Sequence, residues 1–360
     1  MRTADLTQHT LYSYRNLEDR IPAKHPLRKL RVLVDGILHS MSAEIDLLYA
    51  RGGRPSIAPE RLLRASLIQT LFTIRSERQL VDHIEYNLLY RWFVGMNLDE
   101  AAWNHSTFSA NRDRLFNEAI AQRFFKHVLN LAQWQNLVSD EHFTVDGTLI
   151  EAWASAKSFV KKDDGDRPSK EEGRNPSVNF KGEPRLNDTH ESSTDPEARL
   201  YKKSAGDKAK LCYMGHALME NRNGLVVDVL TTQATGTAER EAALLMADRS
   251  VVAANATLGA DKGYDEEEFV YALRKKSIAP HIAQKINSVV GDLSTQAGYA
   301  ASLKTRKRVE EIFGWSKTVG GLRKARFVGL AKVKVQTIFT FAAYNLVRMA
   351  SIFGWRLSPR

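Results

Sequence analysis

The stretch LKTRKRVEEIFGWSK, residues 303–317, decides how the C-terminal half of the chain is interpreted. It contains no proline, and no glycine occurs before Gly314. Its inner residues recur at the spacing of one helix face. They are Val309, Ile312, Phe313 and Ser316. The pattern therefore predicts a helix.

This predicted helix carries an unusual mixture of charges. Two adjacent acids, Glu310 and Glu311, lie among the cations Lys304, Arg306, Lys307, Arg308 and Lys317. Arg306, Glu310 and Lys317 are spaced at about one and then two turns, so they can share one helix face. A carboxylate ringed by so many cations is over-neutralised unless an anion or a metal ion also approaches. The alternative is a solvated helix with ordinary i, i+4 ion pairs, and this stretch alone leaves both open.

The composition is typical of a globular protein, and the net charge indicates the kind of partner that it binds. The 360 residues are 43% hydrophobic and 26% charged, as in a globular protein, and two or more domains are expected at this length. The formal net charge of +10 favours a polyanionic partner, nucleic acid first. The single cysteine, Cys212, excludes an intrachain disulfide framework and a Cys-rich zinc site.

Neither a signal peptide nor a membrane partner is expected. The opening MRTADLTQHT has no apolar run. The apolar stretch 337–355 is interrupted by Asn345 and Arg348, which favours a buried helix over a membrane span. The expected location is the cytoplasm.

Residues 1–140 are expected to form an all-α module. Pro59 suits the first turn of one helix, Ser76 and Gln79 form a capping box for the next, and a third begins near Ser106. Such helices fit either a helix-turn-helix-like DNA-binding unit or a bundle used for packing or dimerisation. The sequence leaves both alternatives open.

The pattern changes at His142. Here HFTVDGTLIEAW alternates like a strand, with Asp146 next to a glycine. Residues from about 155 to 210 are polar and have few large apolar side chains, so they are expected to form a loop or a disordered insertion.

After this insertion the sequence predicts the rest of one sheet. LCYMGHALME and LVVDVLTT, separated by NRNG, are typical of a β-hairpin. A helix capped by Thr237, a strand ending at Asp261, the helix DEEEFVYALRKKS and a strand in APHIAQ follow. A final apolar helix from Val335 to Phe353 closes the chain. The predicted fold class is α/β, a mixed sheet flanked by helices.

Three acids are candidates for a metal site. Asp146 and Asp261 follow or end predicted strands, and Glu310 lies on the later helix. Taken singly, each aspartate is also explained as a turn residue beside a glycine. Hard divalent cations prefer oxygen ligands, and two such ions about 4 Å apart support phosphodiester cleavage. If the three carboxylates converge, they can hold that pair of ions.

At these residues the chain resembles a known family. The spacing Arg-x3-Glu-x6-Lys is similar to the C-terminal signature of DDE transposases of bacterial insertion sequences, which in one large group reads Tyr-x2-Arg-x3-Glu-x6-Lys. Leu303 stands at the tyrosine position. The resemblance covers about residues 26–350 and includes GRPSIAPERLLR, VDGTLIEAWASAKS, NDTHESSTDPEARLYKK, GHALMENRNGLVVDVLTTQATGTAERE and LGADKGYD.

The resemblance implies a ribonuclease-H-like catalytic domain in residues 141–355. By the same resemblance Asp146, Asp261 and Glu310 are ligands of two Mg²⁺ ions, with Mn²⁺ as a substitute. The family spacing selects Glu310 over its neighbour Glu311.

DNA contacts are expected on two groups of cations. The resemblance implies that Arg306 and Lys317 meet DNA phosphates near the cut. A basic face beyond them is either a phosphate track or an ordinary solvated surface. It comprises Arg323, Lys324, Arg326, Lys332 and Lys334.

The expected function is that of a bacterial transposase, associated with the nucleoid when bound to DNA. It binds the terminal repeats of a mobile element and target DNA as a homodimer or higher oligomer, and it cuts and joins strands. The alternatives are a catalytically inactive DNA-binding descendant and a nuclease without a joining step.

Overall fold

The N-terminal part of the chain is helical in the computed structural model, which describes residues 16–49, 52, 56–162, 186–203, 206–251 and 253–355. Pro59 is the first residue of its helix, and the Ser76 Oγ accepts a hydrogen bond from the Gln79 N–H at 3.2 Å, as the capping box predicts. The helices are α1 (Leu17–Arg20), α2 (Pro26–Ser40), α3 (Ser42–Asp46), α4 (Pro59–Leu71), α5 (Glu77–Tyr86), α6 (Leu88–Val94), α7 (His105–Leu115) and α8 (Glu118–Trp134).

Strands and helices alternate in the rest of the chain. They are β1 (His142–Glu151), β2 (Phe159–Lys161), β3 (His190–Ser192), β4 (Arg199–Tyr201), β5 (Lys210–Glu220), β6 (Val226–Gln233), α9 (Ala238–Ser250), β7 (Thr257–Ala260), α10 (Glu267–Lys275), β8 (Ala279–Ile282), α11 (Tyr299–Arg306), α12 (Arg308–Thr318) and α13 (Leu330–Ile352). Short 3₁₀ turns lie at Ala156–Ser158 and Lys262–Tyr264.

Six of these strands form one mixed sheet. Strand β5 pairs antiparallel with β1 along one edge and with β4 and β6 along the other. Strand β7 pairs parallel with β1, and β8 pairs parallel with β7. The β5–β6 hairpin and the β8 strand agree with the sequence pattern. This topology confirms the predicted ribonuclease-H-like α/β fold with an N-terminal helical region.

Helices cover both faces of this sheet. Phe143 and Val145 of β1 pack into a core with apolar residues of α9 and α10. Ile150 is an odd number of residues away from Phe143 and Val145 on the same strand, and it belongs to a larger core that includes α12 and α13. The alternation of β1 therefore places successive side chains on opposite faces.

The larger core is continuous with the N-terminal helices. Phe339 of α13 stacks on Phe124 of α8 at a centroid distance of 5.3 Å and meets the edge of Phe116 at 5.2 Å. The Thr73 hydroxyl donates to the Val319 carbonyl at 3.1 Å. The all-α region and the sheet region thus share one packed interior.

Two local predictions differ from the structure in part. Thr237 is at the N-cap position of α9, as predicted, but its side chain makes no cap bond, and the Ala238 N–H donates instead to the Thr235 Oγ1 at 3.1 Å. The flanks of the polar insertion are ordered: β2 pairs with β3, β4 extends the main sheet, and Asp195 is fully buried. The middle of the insertion, residues 163–185, lies outside the described residues. Among the described helices, none is long and apolar enough to cross a membrane.

Candidate active site

The sheet register brings two of the predicted acids to the same level. The parallel pairing of β1 with β7 runs to Thr144 opposite Gly259. Two residues further on, Asp146 of β1 is level with Asp261, which directly follows β7. Residues at paired positions on neighbouring strands lie about 4.8 Å apart, and their side chains point to the same face of the sheet. The two aspartates are therefore neighbours where β7 ends.

Each aspartate uses one oxygen locally. The Asp146 Oδ1 accepts a hydrogen bond from the Gly147 N–H at 2.7 Å, and the Asp261 Oδ1 accepts from the Gly263 N–H at 2.8 Å. Asp261 thus does cap a turn, as the simpler interpretation of the sequence requires. In the described part of the chain neither carboxylate forms an ion pair with a lysine or arginine, so the second oxygen of each has no partner there.

The electrostatic environment of this pair is unusual for exposed turn residues. Burial raises the pKa of the Asp146 carboxyl, the neighbouring Asp261 carboxylate acts in the same direction, and Lys203 and Arg306 oppose both. Burial, and next the Asp146 carboxylate, also raise the pKa of Glu239 in the first turn of α9. The carboxyl groups of Asp146, Asp261 and Glu239 therefore interact with one another at half-buried positions, and a bound cation would relieve their mutual repulsion.

The helix predicted for residues 303–317 is broken. Helix α11 ends at Arg306 and α12 begins at Arg308, with Lys307 as the joint. The expectation that Arg306, Glu310 and Lys317 share one helix is therefore wrong for Arg306. Both cations nonetheless interact electrostatically with Asp146. Arg306 at the end of α11 and Lys317 in α12 therefore both act on the Asp146 carboxylate.

The two adjacent glutamates have different surroundings. Both are exposed in the first turn of α12. Glu310 and Lys317 are separated by two turns and so lie within about 20° of each other around the helix axis, whereas Glu311 is about 100° away from Glu310. Glu311 instead interacts electrostatically with Tyr344 of α13. Glu310 thus lies on the helix face from which Lys317 approaches Asp146.

The described residues contain no preformed metal cage. No three His, Cys, Asp or Glu side chains among them lie close enough together to hold a metal ion. The structure brings Asp146 and Asp261 together and leaves Glu310 on the adjoining helix, solvent-exposed.

Comparison with protein families gives this arrangement a context. The family model described as Transposase DDE domain matches residues 140–346, which is more than half of the chain. The chain belongs to this family of DDE transposases. A second model, Transposase domain (DUF772), matches residues 15–114. The protein is therefore a DNA-binding enzyme of a divalent-metal-dependent class.

Solved transposase structures show distant similarity to the transposase. A piggyBac transposase synaptic complex with hairpin DNA is 9% identical, with 93% of this chain and 77% of that chain covered and a TM-score of 0.41. A Mos1 transposase paired-end complex with left transposon end is 10% identical, with 76% and 81% covered and a TM-score of 0.19. No curated protein sequence matches significantly.

The transposase has a basic cleft, and two of its lysines, Lys203 and Lys317, interact electrostatically with Asp146. The cleft has a volume of about 640 Å³ and contains Lys317 and Arg323 from the predicted DNA-binding set. The sequence did not single out the cations that the insertion and β5 add, which are Lys202, Lys203, Lys208 and Lys210. These lysines did not stand out in the sequence as a basic cluster, because residues 155–210 also contain many aspartates and glutamates.

The remaining predicted DNA contacts of the transposase lie elsewhere. The Lys324 ammonium is 5.7 Å from the centroid of the exposed Trp153 ring, at the surface. Arg326 lines a separate small cavity of about 50 Å³, and its Nε is buried without a hydrogen-bond partner in the described residues. Burial, with a smaller effect from Arg112, lowers the pKa of Arg326 to about 10. Lys332 and Lys334 form ion pairs with acids of the N-terminal helices.

Proposed function

We propose that Asp146, Asp261 and Glu310 are the metal ligands of this transposase. The observation that carries the proposal is the level placement of Asp146 and Asp261 beneath the α11–α12 segment, whose Arg306 and Lys317 both act on Asp146. The donor set fits a hard divalent cation because it consists of carboxylate oxygens, and neither Asp146 nor Asp261 forms a salt bridge with a described lysine or arginine.

The metal in this proposal is Mg²⁺, bound as two ions, and Mn²⁺ is a substitute. When bound, such ions activate the attacking oxygen and stabilise the leaving oxygen of a phosphodiester. The protein itself contributes by holding the three carboxylates in position. The rigid β1–β7 pairing fixes the two aspartates, and α12 carries Glu310 on the face that Lys317 shares.

The basic cleft is proposed to hold DNA. Arg306, Lys317 and Arg323 neutralise phosphates near the cut, and Lys324 extends this surface. Arg326 was predicted as a further DNA contact. Its buried guanidinium instead supports a structural role between the N-terminal helices and α13.

The substrate is proposed to be the terminal repeats of a mobile element together with target DNA. A homodimer or higher oligomer in the bacterial cytoplasm, acting on the nucleoid, is part of this proposal. The proposed division is an N-terminal helical module in residues 1–140 and a catalytic domain in residues 141–355, although the two share one core.

Joining is the step that separates this function from the alternatives. The test is incubation of the full chain with labelled terminal-repeat duplex, supercoiled target plasmid and Mg²⁺, followed by electrophoresis. A transposase yields cut ends and also labelled plasmid in which a freed 3′-hydroxyl has been joined to the target.

Each other outcome contradicts a different part of the proposal. Cut ends without labelled plasmid indicate a nuclease without joining activity. Retarded but uncut duplex indicates a DNA-binding descendant without catalysis. Omission of Mg²⁺ with addition of EDTA is the control, and product formation under that condition contradicts the metal assignment.

A further inference from the structure

The first turn of α9 contacts the chain directly after each of the two aspartates. A Cβ added to Gly147 would be 2.6 Å from the Glu239 Oε1, so the glutamate packs directly against β1 at the residue after Asp146, and a larger side chain there would displace its carboxylate. On the other side, the Arg240 Nη1 donates to the Gly263 carbonyl at 3.3 Å, in the turn that follows Asp261. One helical turn therefore connects both aspartate segments.

A second observation points to a ligand at this place. The Tyr264 side chain is fully buried, and its hydroxyl has no hydrogen-bond partner within the described residues. It interacts electrostatically with three carboxylates, first Glu239 and then Asp146 and Asp261. A buried hydroxyl without a partner is destabilising, and a hydrogen bond to a carboxylate of this cluster would remove that cost.

We propose that Glu239 is a further carboxylate of the metal site and that Tyr264 is the positioning residue that donates a hydrogen bond to it there. The inference rests on the proposed function, because it assumes a divalent cation at Asp146 and Asp261. The competing explanation is that Glu239 merely complements the helix dipole of α9. Glu241, in the same turn, does that from an exposed position and needs no glycine opposite it.

The test is calorimetric titration of the full-length, DNA-free protein with Mn²⁺, so that the readout does not depend on catalysis. Glu239→Gln keeps the shape and removes the charge, and its Mn²⁺ affinity is expected to fall roughly 10–100-fold. Glu241→Gln removes the same charge from the same helix and is expected to bind Mn²⁺ like the wild type.

Two further variants test the geometry. Gly147→Ala retains the Glu239 charge but displaces its carboxylate, so it should weaken Mn²⁺ binding, yet add no loss in the Glu239→Gln background. Tyr264→Phe should weaken Mn²⁺ binding while leaving the melting temperature of the metal-free protein unchanged or higher. A structural tyrosine would instead lower that temperature and leave the affinity unchanged.

Asp146→Asn separates this inference from the function beneath it. If Asp146→Asn abolishes Mn²⁺ binding and Glu239→Gln binds like Glu241→Gln, the role of Glu239 is refuted and the proposed metal site stands. If Asp146→Asn also binds Mn²⁺ normally, the proposed metal site itself is refuted.

Discussion

Asn345 is one of the two polar residues that interrupt the final apolar stretch, and its replacement tests how much its hydrogen bonds stabilise the folded protein. Its fully buried side chain makes both hydrogen bonds that a neighbouring strand would make to Val226: the Nδ2 donates to the carbonyl at 2.7 Å, and the Oδ1 accepts from the N–H at 2.9 Å. Asn345→Leu fills a similar volume but leaves both backbone groups buried and unpaired. Each unpaired group costs about 1–3 kcal/mol, so the free energy of unfolding should fall by about 2–6 kcal/mol.

Urea denaturation followed by circular dichroism measures this loss. Asn345→Ala should lose at least as much stability, because a cavity adds to the missing hydrogen bonds. Ser351→Ala, on an exposed position of the same helix, is the control and should change the free energy of unfolding by less than about 0.5 kcal/mol. An Asn345→Leu protein as stable as the wild type would refute the claim that this side chain secures β6 to α13.

The remaining predictions concern acid stability and DNA affinity. Burial lowers the pKa of His216 from 6.5 to about 3, so the unfolded chain takes up a proton below about pH 6.5 that the folded protein refuses. Stability should therefore fall by about 2 kcal/mol between pH 7 and pH 5, and His216→Gln should remove that part of the decline; equal declines in urea denaturation of both proteins would contradict it. Arg323→Ala, in the basic cleft, should weaken binding to DNA and reduce the slope of log affinity against log salt by about one. Arg326→Ala should lower the melting temperature and leave that slope unchanged, and the opposite pattern in fluorescence anisotropy titrations would show that the two arginines have been assigned the wrong way round.

Much of the fold follows from local sequence patterns. The capping box at Ser76 and the hairpin around NRNG each depend on a few neighbouring residues, and both are present in the structure. The level placement of Asp146 and Asp261 also follows, because parallel strands that end in polar residues bring their ends to one edge of the sheet.

Other features depend on contacts that no local pattern records. The break at Lys307 is marked by neither glycine nor proline. The strands β2, β3 and β4 have three residues each, too few to show a period, and polar neighbours conceal them. Glu239 looks like an ordinary first-turn acid until Gly147 is seen beneath it, and only tertiary packing separates Arg326 from Arg323.

Cleavage of a terminal-repeat duplex in Mg²⁺ by single-residue variants tests the central claim most directly. Asp146→Ala, Asp261→Ala and Glu310→Ala each remove one oxygen ligand, so cleavage should fall by roughly three orders of magnitude or more while circular dichroism stays that of the folded protein. Glu311→Ala removes the same charge from the next position of α12 and should cut at nearly the wild-type rate. Loss of cleavage in Glu311→Ala with retention in Glu310→Ala would contradict the assigned register, and normal cleavage by all four variants would contradict the proposed active site.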